Sequence, residues 1–229
     1  MKSDRIILKN RKKTFDPRLD RVAQFDVDSR KYPIRELVGP RKLRSYTWGV
    51  SKTLDQGSEG ACVGFAWAHE LIAKPKPLLK LDAAYARNLY KAAQENDEWP
   101  GMEYEGTSVL AGAKVIKMTG YMPEYRWAFG LQDLLLAVGY AGPGVAGLNW
   151  YEGMLEPDDK GFISPTGRIR GGHAIMIHSV NVKGEYVKVH NSWGEDWGVK
   201  GDAKLSFKDL ERLLAEDGEF CVPVVRKIA

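Results

Sequence analysis

Long apolar runs and cysteines are both scarce in this chain of 229 residues. No stretch approaches the roughly 20 apolar residues of a membrane-spanning helix, so we expect no membrane span. A secretory signal is not expected either, because Ile6, Ile7 and Leu8 are followed at once by Lys9. Two cysteines can form one disulfide at most. These absences predict a cytoplasmic protein from a reducing compartment.

Recognisable cofactor and metal motifs are also absent from the sequence. No Cys/His spacing is typical of a structural metal site, and no glycine-rich loop has the form that binds phosphates. We therefore expect no metal and no cofactor. The net charge of +4 is small and arises mainly near the amino terminus. Aromatic residues do not alternate with these basic residues, so nucleic-acid binding is not predicted.

The apolar residues that are present, 44% of the chain, suffice for one domain or two small lobes. Residues 1–45 are polar, basic and interrupted by Pro17, Pro33 and Pro40. We interpret them as a solvated arm, an arm that wraps over the domain, or one that docks onto a protein partner. Residues 46–229 are the predicted folded domain, with helices over about 55–140 and strands over about 141–229.

Four helices are predicted in the first part of this domain. The first is strongly apolar, begins at Cys62 and is stopped by Pro75. The second follows a capping residue at Asp82, and the third follows one at Thr107. A shorter fourth helix covers residues 131–138.

Strands dominate after residue 142, where the apolar period shortens. Glycine-bearing turns separate the predicted strands, which cover residues 145–148, 174–182, 186–189, 204–207 and 220–225. Ser206 and Asp209 form a rough capping box for one late helix. Helices followed by antiparallel strands predict an α+β fold in two lobes.

Cys62 stands where a glycine-bearing loop enters the first helix. The N–H groups and the dipole at a helix amino terminus favour negative charge, which predicts a lowered thiol pKa and a nucleophilic thiolate. The alternative is that Cys62 is a small buried hydrophobic residue.

Three further residues complete a candidate catalytic set. His173 begins a strand, and an imidazolium beside a thiolate can hold its charge and protonate a leaving amine. Asn191 ends the next strand, where its amide could orient that ring. Gln56 precedes the cysteine, and its side-chain N–H could bind an oxyanion. A core histidine, a strand-end asparagine and a loop glutamine are the alternatives.

Taken together, the segments 55–62, 171–176 and 191–198 resemble the papain family of cysteine peptidases. They contain Gln-x-x-x-x-x-Cys entering a helix, Gly-His-Ala, and Asn-Ser-Trp-Gly-x-x-Trp-Gly, in that order. The resemblance implies a papain-like two-lobed fold, with a helical left lobe, an antiparallel β-barrel right lobe and the active-site cleft between them.

The resemblance also implies roles for the candidate residues. Cys62 would be the nucleophile and His173 the general acid/base. Asn191 would orient the histidine, and Gln56 would supply the oxyanion-binding amide. The implied reaction is hydrolysis of a peptide or protein substrate through a thioester acyl-enzyme.

Further residues are candidates for substrate binding by the same resemblance, namely Glu105, Gly106, Trp150, Gly172, Ala174 and Trp193. Gly106 would contact the backbone of an extended peptide. The small Ala174 leaves space for a bulky apolar side chain two residues before the scissile bond, so an apolar preference is expected there. Trp193 would shield the hydrogen bond between His173 and Asn191.

The sequence departs from the family pattern at two positions. Glu59 replaces a cysteine that secreted members carry, and Val63 replaces a tryptophan. Cys221 is expected to be a buried thiol. The leading segment is too short for the proregion of lysosomal relatives, so it either covers the cleft or docks onto a partner. Without disulfides, the chain is similar to bacterial and bacteriophage members.

Two other functions remain open at this point. The same site could transfer the acyl group to an amine, as a transpeptidase or amidase does. Alternatively, the chain could be a structural or binding protein, such as a virion component, that uses the fold as a scaffold.

Overall fold

The computed structural model describes residues 16–99 and 105–224, which form an α+β fold. The helices within these ranges are α1 (Arg35–Val38), α2 (Cys62–Ile72), α3 (Ala83–Glu95), α4 (Val109–Met118), α5 (Leu131–Tyr140) and α6 (Phe207–Ala215). The strands are β1 (Tyr46–Thr47), β2 (Glu124–Ala128), β3 (Gly144–Tyr151), β4 (Ile169–Asn181), β5 (Tyr186–His190), β6 (Asp202–Ser206) and β7 (Glu219–Val224). The predicted fold class is confirmed, whereas the first fifteen residues of the predicted arm lie outside the described ranges.

The capping residue predicted for α3 is the one observed, whereas the capping residue of α4 is shifted by one position. The Asp82 carboxylate accepts the backbone N–H of Tyr85 at 2.9 Å, as predicted for α3. The cap of α4 is Ser108, whose hydroxyl accepts the N–H of Ala111 at 3.0 Å. The prediction of Thr107 was wrong by one residue, because the Thr107 hydroxyl donates instead to the carboxylate of Asp97.

All strands join one antiparallel sheet in the order β2-β7-β3-β4-β5-β6, with β1 added to β4. Strand β2 was not predicted. It lies within the part of the sequence expected to be helical, and it pairs with β7 so that Trp127 lies opposite Cys221. The sheet is therefore continuous from the helical half of the chain to its last strand.

Helix α2 is the buried centre of the helical half, and every one of its residues is buried. It packs with α3 and α4 and against β4. Cys221 is fully buried in the same cluster, as expected for a structural thiol. In the described ranges, no helix is long and apolar enough to cross a lipid bilayer.

Close packing of α2 against α3 depends on Gly64. A Cβ there would overlap the carbonyl oxygen of Ala86 and lie 2.7 Å from the Cβ of Tyr90. We expect Gly64→Ala to lower the free energy of unfolding by about 1–3 kcal/mol, measured by urea denaturation. Gly139 in α5 is the matched control, because its added Cβ would meet nothing closer than 3.5 Å. Gly139→Ala should instead be neutral or stabilise by roughly 0.5–1 kcal/mol; equal effects of the two substitutions would contradict this view of the packing.

Candidate active site

Cys62 is the first residue of α2 and its side chain is fully buried. Burial raises the pKa of the Cys62 thiol to about 11, although the nearby backbone N–H groups of Ala174 and Val63 and the charge of Arg21 act in the opposite direction. The predicted lowering of this pKa is thus wrong for this conformation, in which water does not reach the sulfur.

His173 lies on β4, and its Nδ1 makes no hydrogen bond within the described residues, to the Cys62 sulfur or to any other group. Its Nε2 lies 2.8 Å from Oδ1 of Asn191. Since an amide oxygen only accepts, Nε2 carries a proton and donates it, and Nδ1 of the neutral ring keeps a lone pair. Burial lowers the pKa of His173 to about 4, against the opposing effect of the Asn191 hydrogen bond. The pairing of β4 with β5 brings the two residues together.

Two tryptophans surround the His173 ring. The ring centroids of Trp150 and Trp193 lie 4.7 Å and 5.1 Å from that of His173. Both tryptophans are buried. Trp193 is placed to exclude water from the histidine, as the sequence suggested. Trp150 packs edge-on against the imidazole, so it supports the ring.

The Gln56 side chain is held in one orientation by its neighbours. Its carbonyl oxygen accepts the Ser192 hydroxyl at 2.6 Å, so its NH₂ group points the other way. That group donates to the carbonyl oxygens of Glu59 at 2.6 Å and Arg18 at 3.2 Å. The amide therefore already binds the carbonyl of another chain segment.

That segment is the part of the arm covering residues 18–22, which we call the strap. The N–H of Arg21 donates to the Gly172 carbonyl at 3.0 Å, and the N–H of Val22 donates to the Thr107 carbonyl at 2.9 Å. The strap thus forms β-type hydrogen bonds on both sides of Cys62. This part of the arm therefore wraps over the domain and covers the cleft, which was the second of the three possibilities given for it.

Glycines allow the strap backbone to come this close. A Cβ at Gly106 would overlap the carbonyl oxygen of Asp20, and one at Gly172 would overlap that of Arg21. Gly106 also has a φ of +88°, which favours glycine. Gly106 and Gly172, both predicted to bind substrate, therefore lie against an extended peptide. Glu105, partly buried, directly precedes this contact.

Glu219 is a residue of this region that the sequence did not single out. It is fully buried at the start of β7 and forms an ion pair of 2.6 Å with Arg21 of the strap. The partners are far apart in sequence and no local pattern connects them. The only available signal was an acidic residue beginning an otherwise apolar strand.

A second polar cluster lies on β4, β5 and β6, at His178, His190 and Asp202. The Asp202 carboxylate lies 2.6 Å from Nδ1 of His190 and 3.3 Å from Nε2 of His178. Nδ1 of His178 lies 3.0 Å from the carbonyl oxygen of Trp48 and so carries a proton. Among the described residues this is the group with a geometry suited to a metal ion. The spacing in the sequence did not indicate it.

Asp202 is expected to stabilise the fold in a pH-dependent way. Burial raises its pKa, but the neighbouring imidazoles of His178 and His190, the latter hydrogen-bonded to the carboxylate, outweigh this and hold the pKa well below its usual range. A carboxylate with a depressed folded pKa stabilises above its unfolded pKa, and the stabilisation is lost as the pH falls through the folded pKa. We expect Asp202→Asn to cost about 1–3 kcal/mol at neutral pH.

Urea denaturation at pH 7 and at acidic pH checks this prediction. The difference between wild type and Asp202→Asn should shrink in acid, while the exposed control Asp196→Asn should show little difference at either pH. A cost that does not change with pH would contradict the role given to the Asp202 charge.

Comparisons with known proteins agree on the fold. No protein-family model matches the sequence. A cathepsin B-like cysteine proteinase of Schistosoma japonicum is 42% identical over 62 residues. That match covers 26% of this chain and 18% of the relative, so less than a fifth of the relative's length is represented.

Solved structures match over far more of the chain. Xylellain, a cysteine protease from Xylella fastidiosa, has a TM-score of 0.68 at 15% identity, covering 96% of this chain and 99% of its own. ProCathepsin B S9 from Trypanosoma congolense has a TM-score of 0.66 at 15% identity, and the match covers 91% of this chain and 87% of the procathepsin chain. Digestive procathepsin L 3 of Tenebrio molitor has a TM-score of 0.58 at 16% identity, and the match covers 94% of this chain and 76% of the procathepsin chain. These similarities confirm the papain-like fold; a bacterial or bacteriophage origin stays a prediction.

Proposed function

We propose that this chain is a cysteine peptidase with Cys62 as nucleophile, and that the described conformation is a latent one. The observation that supports this most is the strap, an extended peptide hydrogen-bonded along both sides of Cys62. A cleft that holds polypeptide backbone in this way is suited to a peptide substrate. Two of the similar structures are precursor forms by name, which agrees with a latent state.

The proposed reaction follows from the protons that the site holds. Nδ1 of neutral His173 takes the proton of the Cys62 thiol, and the thiolate attacks the substrate carbonyl carbon. The Gln56 NH₂ group and the Cys62 backbone N–H bind the developing oxyanion. The imidazolium then protonates the departing amine, and water attacks the thioester, with the same ring accepting its proton. Asn191 keeps the ring in one orientation throughout.

The strap occupies groups that a substrate would need. Its Arg18 carbonyl is held by the Gln56 amide, and its Arg21 N–H is bound to the Gly172 carbonyl. With the thiol pKa at about 11 and the imidazole pKa at about 4, the pair is also uncharged. Activity then requires the strap to leave.

The filled cleft and the neutral pair also favour a second function, that of a papain-fold binding protein without catalysis. Thiol labelling separates the two. We expect iodoacetamide to modify Cys62 faster than Cys221, as located by mass spectrometry, because strap release exposes Cys62 alone. His173→Ala should slow the labelling of Cys62, since it removes the base. Equal, slow labelling of both cysteines in the native chain would favour the binding protein.

Acyl transfer would use the same acyl-enzyme, and the geometry does not favour it over hydrolysis. The products distinguish them, because a transferase joins an added amine to the new carboxyl end. We place hydrolysis first because it needs no reactant besides the peptide and water.

A further inference from the structure

Two imidazole rings and one carboxylate meet at His178, His190 and Asp202, on β4, β5 and β6. One ligand atom from each residue lies within 4.8 Å of the other two. Both histidines are 3% exposed, whereas the Asp202 side chain is 24% exposed. Imidazole nitrogens and carboxylate oxygens are donor types that zinc binds. The cluster therefore offers three ligands of a zinc site, and it is open to water at Asp202.

The surrounding structure sets the position of both rings. On β4, the residues before and after His178 pair with consecutive residues of β5, so His178 is the extra residue of a β-bulge. Bulges re-aim side chains and are frequent beside functional sites. The ring of His69 packs edge-on against that of His190, with centroids 4.6 Å apart. Because Nε2 of His69 accepts the N–H of Leu54 at 2.8 Å, His69 supports His190 and is not itself a ligand.

The hydrogen bonds of His178 leave a lone pair that faces the carboxylate. Nδ1 carries a proton and donates it to the carbonyl oxygen of Trp48 at 3.0 Å. Nε2 of the neutral ring is therefore an acceptor. It lies 3.3 Å from Oδ1 of Asp202 and makes no hydrogen bond within the described residues. Two acceptors at this distance repel each other unless a cation, either a proton or a metal ion, joins them.

The outer hydrogen bonds match those of histidines that bind metals. Such a histidine usually donates its second N–H to a backbone carbonyl or a carboxylate, which fixes its tautomer and its orientation. His178 donates to the Trp48 carbonyl in this way. Nδ1 of His190 lies 2.6 Å from the Asp202 carboxylate, and its Nε2 is buried without a hydrogen bond in the described part of the chain. In the neutral state each ring thus keeps one buried nitrogen with a free lone pair.

We propose that His178, His190 and Asp202 bind a divalent transition-metal ion of the zinc type, which ties three strands of the sheet together. The chain supplies three ligands and water completes the coordination. His190 directly precedes Asn191, whose backbone N–H donates to the carbonyl of Gly201, the residue before Asp202. The ion therefore fixes the strand end that carries Asn191. This proposal departs from the sequence-based expectation of no metal, and it does not depend on the peptidase function.

Zinc titration of the chain, freed of metal with a chelator, tests the site. A Cys62→Ala background is used because thiolates also bind zinc. We expect one Zn²⁺ per chain by calorimetry, and a melting temperature about 5–10 °C higher at free zinc of roughly 100 times the Kd. His190→Gln and Asp202→Asn should each weaken binding by more than about 100-fold. His173→Ala and the exposed Asp196→Asn are the matched controls and should keep the affinity.

Co²⁺ absorption by the wild-type chain identifies the ligands even if a ligand variant does not fold. We expect the visible bands of a bound Co²⁺ ion without the near-ultraviolet band of a thiolate ligand. Folded, metal-free chain that shows no zinc binding overturns the proposal and leaves a proton between His178 and Asp202. Zinc affinity that survives in both His190→Gln and Asp202→Asn also overturns it. None of these measurements uses peptide cleavage, so either failure leaves the proposed peptidase function standing.

Discussion

Peptide cleavage is expected to fall by at least about 10⁴-fold in kcat/KM when Cys62 is replaced by Ala in a chain whose strap has been weakened by Arg21→Ala. The loss is large because the proposed thioester cannot form without the sulfur. Binding of substrate should persist, so the change should lie in kcat more than in KM. A library of fluorogenic peptides provides the measurement.

Cys221 provides the matched control for this experiment. It is also a fully buried cysteine, but it lies on β7 opposite Trp127 and away from His173 in the sheet. Burial raises its pKa well above the usual value. Cys221→Ala should keep the cleavage rate within a fewfold of the parent. Cleavage that survives in Cys62→Ala would show that the activity does not come from this site.

The starts of several helices and the contact between two consecutive strands could be predicted, because residues close together in the sequence determine them. Asp82 and Ser206 cap the helices that follow them, as predicted, because each cap needs only its own side chain and an N–H three residues later. Cys62 begins a helix because an apolar run follows it directly. The approach of Asn191 to His173 was predictable because two consecutive antiparallel strands must lie side by side.

Contacts between distant segments were not predictable in the same way. Arg21 and Glu219 are 198 positions apart, and nothing near either residue specifies the other. Strand β2 exists because β7 offers it an open edge, which its own short and partly charged sequence does not reveal. The Cys62 pKa depends on the same long-range packing: the helix start favours the thiolate, but burial beneath the strap outweighs it.

The strap is bound through its backbone and through one buried side chain. Backbone hydrogen bonds to Thr107 and Gly172 would be equally available to any extended peptide, so they give little discrimination. The buried Arg21–Glu219 ion pair adds a side-chain contact that belongs to the strap. The strap and a substrate would then compete for the same backbone hydrogen bonds, and the ion pair favours the strap.

Reversing the charge of Arg21 should therefore activate the chain. In Arg21→Glu two carboxylates would share a buried pocket, which is strongly unfavourable, so the strap should leave the cleft. Water then reaches the sulfur. If the Cys62 pKa falls from about 11 toward the roughly 8.5 of an exposed cysteine, the thiolate fraction near about pH 7.5 rises roughly 300-fold. We expect the iodoacetamide labelling rate of Cys62 to rise by about two orders of magnitude for this reason.

Lys31→Glu is the control for this change, because it reverses a charge further along the same arm at a side chain that is 65% exposed. It should leave the labelling rate nearly unchanged, since an exposed ion pair contributes little. The labelling rate of Cys221 serves as an internal reference, because strap release should not expose it, whereas unfolding would expose both cysteines. Faster labelling of Cys62 alone identifies release of the strap. An Arg21→Glu chain that is folded but labels Cys62 no faster than wild type would mean that the strap does not protect the nucleophile.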